Sequence, residues 1–249
     1  MNVVTSFHKQ GFEVYGNKFV ESFKRYWPKN VTCTVYYEGE FKRDPAFTWK
    51  PIEEVEYLGN FLNNLHFPIM KGIEGDHYNI NWDARMARKA FIEMHSAKTM
   101  GGKVFWIDAD VVTHSPVPAD FLDKMLPDNA LCCYLGRDGW YYTESGFIGF
   151  NADHREFKKF YELYLTTFLS GAIFMQPGWH DCYGFDVARK AMMSDSAFVN
   201  LAKDVPKGTM HPFVNCELAA YMDHRKGERK NTRTDPKELV FGRDEKYWQ

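Results

Sequence analysis

The sequence predicts an α/β fold: one domain, residues 1–249, with a mostly parallel central sheet flanked by helices. Three observations carry this. A strand, helix, strand pattern fills residues 1–40, the usual opening of a parallel sheet. The run Val104–Ile107 is apolar at every position, as a strand covered on both faces requires. Long helical patterns then alternate with short strand-like runs. A chain of 249 residues suits one sizeable domain with a substantial core.

In order along the chain, Val3–Phe7 reads as the first strand. Gly16 to Tyr26 reads as a helix, with Phe19, Val20 and Phe23 on one face and Pro28 as its stop. Val31–Tyr37, "VTCTVYY", is β-branched and aromatic, hence a strand. Residues 39–80 hold no persistent period and read as an irregular insertion with one short helix near Ile52–Leu65. Asp83–Lys98 is the next helix, with Met86, Ala90, Met94 and Ala97 near one stripe. Arg85 and Lys89, four apart, share a face of it. Gly101-Gly102 ends it, and the buried strand Val104–Ile107 follows. Ala130–Leu135 and Gly146–Phe150 read as further strands, joined by a Gly- and Tyr-rich loop at 136–145. Asp153 with Glu156 resembles a capping box. It opens a helix whose apolar face is Phe157, Phe160, Tyr161, Tyr164, Leu165 and Phe168, closed by Gly171. "HDCYGFDVARKAMMSD" reads as loop then helix. The tail from His211 is mixed and polar, and "HRKGERKN" is its densest basic segment.

Composition narrows the function. The 31 basic and 33 acidic residues nearly cancel, so no global field favours nucleic acid or anionic membrane. The strictly apolar run Ala130–Leu135 is far short of the roughly 20 residues a membrane span needs. The opening "MNVVTSFHKQGFEVYG" lacks a secretory pattern, so the expectation is a soluble, cytoplasmic protein. The five cysteines are odd in number and show no CxxC spacing, which argues against a disulfide framework or a zinc site.

The chemistry-bearing stretch is "KVFWIDADVV". Asp108 and Asp110 stand at the carboxyl end of the buried strand, where open α/β sheets bind their ligands. In extended chain, residues i and i+2 point to one side, about 6.6 Å apart. Two such carboxylates can converge on a hard cation, Mg²⁺ or Mn²⁺. By itself the triplet is also compatible with a strand-end aspartate that caps a turn.

In context, "VFWIDADVV" resembles the D-x-D motif of nucleotide-sugar glycosyltransferases with the Rossmann-like GT-A fold, and the likeness extends along the chain. "DARMARKAF" resembles the helix before that motif in family-8-like enzymes, which implies that Arg85 and Lys89 face the nucleotide and its phosphates. "ESGFIGFN" is similar to the strand lining the sugar pocket, with Glu144 where Asn is common. "WHDCYGFD" matches in part the segment with an acidic donor-sugar contact. That makes Asp181 the first candidate and Asp186 the second. "DHRKGERKN" resembles the C-terminal His-x-Lys-Gly, implying His224 as third metal ligand and Lys226 and Gly227 at the diphosphate. His211, beside Pro212, competes with His224 for the ligand role. Residues 39–80 and the last dozen or so carry none of the likeness.

The resemblance implies a hexosyl- or pentosyltransferase that moves a sugar from a nucleotide-diphosphate donor, a UDP-sugar first, with Mn²⁺ or Mg²⁺ held by Asp108, Asp110 and His224. Ser6 and Phe7, at the end of the first strand, would touch the nucleotide. Asp181 and Glu144 would meet the sugar or the reacting centre. The acceptor stays open among glycan, protein, lipid, small molecule and nucleic-acid base. The "RKGERK" run would suit a phosphate-backbone contact or a tail closing over the diphosphate. Two other readings use the same carboxylates: a metal-dependent phosphohydrolase or nuclease, which would want more clustered acids and histidines, and a non-catalytic sugar-nucleotide-binding relative.

Overall fold

The computed structural model describes residues 1–64, 80–137, 141–192, 197–227 and 234–240, with residues 80–85 described by their backbone. The strands are β1 (Asn2–His8), β2 (Thr32–Glu38), β3 (Thr48–Pro51), β4 (Lys103–Ile107), β5 (Val111–Thr113), β6 (Cys132–Arg137), β7 (Tyr141–Asn151), β8 (Phe198–Asn200) and β9 (Met222–His224). The main helices are α1 (Asn17–Tyr26), α2 (Leu58–Asn63), α3 (Ile80–Met100), α4 (Phe121–Met125), α5 (Phe157–Leu169) and α6 (Asp181–Ala191). Seven strands form one sheet in the order β3-β2-β1-β4-β7-β6-β8, and β5 pairs with β9 in a small second sheet. The first four are parallel, β6 and β8 are parallel, and β7 runs antiparallel to both β4 and β6.

The buried strand β4 divides the core as a period of two demands. Phe105 and Ile107 pack with Phe7, Phe19, Phe23 and Phe147 on the α1 face. Val104 and Trp106 pack with Phe91, Ile148, Phe160 and Phe185 on the face covered by α3, α5 and α6. Burying each such aromatic is worth about 1.5–3 kcal/mol, so both faces pin the strand whose tip carries Asp108. The five cysteines are free thiols, with Cys33, Cys132 and Cys133 buried. Among the described residues no helix is long and apolar enough to cross a membrane.

Four expectations are corrected. The first helical stretch begins at Lys9, not Gly16, and runs through a π segment, Phe12–Gly16, before α1. Gly11 and Gly16 are not breaks there: a Cβ on Gly16 would lie 2.9 Å from the Phe7 ring, so the glycine admits close packing on β1. The insertion is not wholly irregular, because Thr48–Pro51 adds an edge strand, a position that tolerates proline. The loop expected at 136–145 is largely strand: β7 starts at Tyr141 and pairs with β6 through register shifts around Leu135. The helix expected from Asp153 starts at Phe157 instead. Glu156 makes no side-chain cap there, and Asp153 Oδ1 accepts from the Gly102 amide at 3.2 Å. That acid braces the turn before β4.

Candidate active site

Asp108 and Asp110 leave the end of β4 in a closed turn. The Asp108 amide donates to Gly146 O at 3.0 Å, and the Val111 amide donates to Asp108 O at 3.0 Å. The chain then enters β5, which pairs antiparallel with β9 so that Val111 faces His224. The Arg225 amide donates to Asp110 O at 3.2 Å and extends the pairing. This small sheet delivers His224 to the carboxylates. Its Nε2 lies 3.2 Å from Asp110 Oδ1 and 3.5 Å from Asp108 Oδ2. The three potential ligand atoms all lie within 4.8 Å of one another.

Glu144, on β7, underpins this cluster. It is 2% exposed. Its Oε1 lies 3.0 Å from His224 Nδ1, 3.4 Å from His211 Nε2 and 2.5 Å from Lys226 Nζ. Its Oε2 accepts from the Phe213 amide at 3.1 Å, with Arg137 Nη2 at 3.8 Å. Burial alone would raise the Glu144 pKa, but Lys226 and the imidazoles hold it well below the usual carboxylate range. For His224, burial opposes the charged form, yet Asp110 and Glu144 outweigh it and push the pKa up to about 9. His211 goes the other way: burial pulls it down to about 3, against the pull of Glu144. His211 sits on Glu144 rather than beside the two aspartates, so the structure groups His224, not His211, with that pair. Glu144, His211 and His224 form a second group of potential ligands, a clustering the sequence did not reveal. There the Lys226 ammonium already supplies positive charge.

Lys89, on α3, is buried rather than part of a wet helix face. Its Nζ lies 2.8 Å from Asp108 Oδ1 and 3.4 Å from Asp181 Oδ2, and it donates to Ser145 O. Trp106 Nε1 also donates to Asp108 Oδ1, at 2.6 Å. Burial would lower the Lys89 pKa, but Asp108, Asp181 and Glu93 outweigh it and raise it. Asp181 is the first residue of α6, where the positive end of the helix favours a carboxylate. One turn beyond Lys89, Glu93 is buried, and that burial raises its pKa well above the usual carboxylate range. The Tyr164 hydroxyl donates to it at 3.1 Å. Glu93 and Tyr164 escaped sequence reasoning because each stands inside an apolar stripe.

A cavity of about 380 Å³ adjoins the cluster, lined by Ser6, Phe7, Met86, Lys89, Asp108 and Asp110 among others. Glu38 and Arg88, paired at 2.5 Å, form another part of its wall and were not foreseen. The Arg85 side chain, one turn earlier, and Trp140 lie outside the described residues. Gly227 follows Lys226 with φ +61°, a left-handed conformation that suits glycine. Asp186 is turned elsewhere and binds the amide and hydroxyl of Thr143 at 2.9 and 2.8 Å.

The donor set fits a hard divalent cation. Two carboxylates and one imidazole nitrogen converge, and Glu144 holds the other nitrogen, as the carboxylate partner of a ligating histidine does. Lys89 occupies Asp108 Oδ1, while Oδ2 is the oxygen that faces His224.

No family model matches the chain, and no curated protein matches its sequence. Solved structures do align with it. Mouse xyloside xylosyltransferase 1, in its apo form, aligns at TM-score 0.48 and 11% identity, over 81% of this chain and 85% of that one. The bifunctional glycosyltransferase WbbM aligns at 0.47 and 15% identity, over 81% of this chain and 38% of that one. The apo glycosyltransferase GlyE of Streptococcus pneumoniae TIGR4 aligns at 0.45 and 12% identity, over 80% and 44%. All three are glycosyltransferases.

Proposed function

We propose that the chain is a metal-dependent glycosyltransferase of the GT-A type that takes a nucleotide-diphosphate sugar, a UDP-sugar first. The observation that carries this reading is the convergence of Asp108, Asp110 and His224 at the carboxyl end of β4, beside a cavity of about 380 Å³. Asp108, Asp110 and His224 would hold Mn²⁺ or Mg²⁺, which when bound supplies Lewis-acid stabilisation of the leaving diphosphate.

The chain's own residues do the rest. Ser6 and Phe7 contribute wall to the nucleotide cavity. Lys226, 31% exposed at its side chain, would add positive charge at the phosphates, and Gly227, with its positive φ, would let the chain turn over them. Lys89 holds Asp108 and Asp181 in place, since its ammonium is already shared between them. Asp181, 3.4 Å from Lys89, is the acid that would meet the donor sugar. Glu144 orients His224 and Lys226 rather than attacking or taking a proton, because both its oxygens are engaged. In the transfer, an acceptor hydroxyl oxygen bonds to the anomeric carbon while the carbon–oxygen bond to the diphosphate breaks. The electron pair leaves with the diphosphate, which takes up the hydroxyl proton.

A thermal-shift panel of UDP and UDP-sugars with and without Mn²⁺ tests this. Ligand at about 100 times its dissociation constant adds about 2.7 kcal/mol of stability. Stabilisation by UDP only with Mn²⁺, lost in Asp110→Ala, together with donor turnover, supports the transferase. Absence of nucleotide binding, or phosphatase activity in its place, would sink it.

A further inference from the structure

A second cavity, about 510 Å³, opens at the same end of the sheet as the metal cluster. The ends of β6, β7 and β8 and helix α6 frame it. Among the described residues its wall carries Arg137, Arg189 and Lys190 against one carboxylate, Asp186. The cavity beside the aspartates has the opposite balance, with Glu38, Asp108 and Asp110 against Arg88 and Lys89.

The cations are arranged. Asp186 is occupied by Thr143 and also accepts from Arg189 Nε at 3.3 Å. The Arg189 guanidinium lies over the Tyr134 ring, 4.9 Å from its centroid. Its Nε edge is thus pinned, and among the described residues its Nη groups donate to no acceptor. Arg137 is 9% exposed at its side chain, and its buried Nε has no hydrogen-bond partner among the described residues. Its Nη1 donates to Tyr142 O at 2.7 Å, and the guanidinium sits 5.4 Å from the half-exposed Tyr141 ring. A fixed guanidinium fork above aromatic rings matches a carboxylate or phosphate carried on a ring-bearing molecule. The cavity also stands close to the chemistry: Arg137 is 3.8 Å from Glu144, which is 3.0 Å from His224.

We infer that this cavity receives the acceptor, and that the acceptor carries an anionic group, phosphate or carboxylate, bound by Arg189 and Lys190 with Arg137 behind them. This rests on the transferase reading above.

The test uses a neutral hexose, its monophosphate and its uronate as probes of the full chain without metal, titrated by ligand-observed NMR. The charged probes should bind about tenfold or more tightly than the hexose. Which of the two binds better assigns phosphate or carboxylate. The double variant Arg189→Gln, Lys190→Gln should lose that preference and keep the Mn²⁺-dependent thermal shift with UDP, which also shows that it is folded. Equal binding of the neutral hexose, or a preference that survives the double variant, overturns the inference while leaving the UDP response untouched. Anion binding at Arg189 and Lys190 in a protein that ignores UDP overturns the transferase reading, and the acceptor assignment with it.

Discussion

His224 is held by both of its ring nitrogens: Nδ1 lies 3.0 Å from Glu144 Oε1, and Nε2 lies 3.2 Å from Asp110 Oδ1. Glu144 can therefore set the tautomer that leaves Nε2 free to ligate. Replacing Glu144 with Gln keeps the shape and removes the charge that stabilises an Nδ1-protonated ring. Outer carboxylates of this kind are typically worth 10–100-fold in metal affinity. Glu144→Gln should weaken Mn²⁺ binding by about tenfold or more in a calorimetric titration. Unchanged affinity would mean that Glu144 does not act through His224.

The same ring makes metal-free stability depend on pH. The folded pKa of His224, about 9, stands above the ordinary 6.5. A raised histidine pKa stabilises the fold fully below the unfolded value, and that stabilisation is lost as pH rises through the folded value. The melting temperature of the metal-free protein should fall between pH 6.5 and 9, and His224→Gln should flatten that part of the profile. Mn²⁺ affinity should move oppositely and rise over this interval, because the ion displaces the proton. A wild-type melting profile parallel to that of His224→Gln would refute the assignment.

Lys89 neutralises two acids at once, 2.8 Å from Asp108 and 3.4 Å from Asp181, with Asp181 almost wholly buried. Removing one partner of a buried pair costs about 3–5 kcal/mol, because the other charge stays behind unpaired. For a chain of this size that corresponds to a fall of roughly 10 °C in melting temperature. Lys89→Met should show that fall in metal-free buffer. A change below about 2 °C would mean that water, not Lys89, balances Asp181.

What was legible follows from burial. Val104–Ile107 had to be a continuous apolar run because both faces of β4 are covered, so the strand and the two acids at its tip could be read directly. His224 was reached through its resemblance to a motif, since β9 is three residues long and has no pattern of its own. Its position is tertiary: only the pairing of Val111 with His224 brings it to Asp110. "YYTE" read as loop because its residues are polar and aromatic, yet cross-strand pairing with β6 makes it strand and turns Glu144 inward. Asp153 has the look of a helix cap, but the Gly102 amide claims it first. Such choices between competing partners are settled by the fold and leave no local periodicity.

Gly146 offers a steric test of the cluster that changes no charge. It lies on β7 with its amide-plane neighbour Asp108 bonded to its carbonyl, and a Cβ built on it would stand 2.5 Å from both Cε1 and Nδ1 of His224. Real side chains do not tolerate that approach, so Gly146→Ala must push the imidazole away from Glu144, from Asp110, or from both. The backbone there is extended strand, the next contact of the added Cβ is the Phe213 ring at 3.3 Å, and the neighbouring core residues Phe147 and Ile148 keep their partners on β4. The variant should therefore fold, with far-ultraviolet circular dichroism like the wild type, and lose Mn²⁺ affinity at least as severely as Glu144→Gln. It should also lose the pH 6.5 to 9 dependence of its melting temperature, since the ring no longer sits between the two carboxylates. A folded Gly146→Ala protein that binds Mn²⁺ as tightly as the wild type would show that the ion is held without His224.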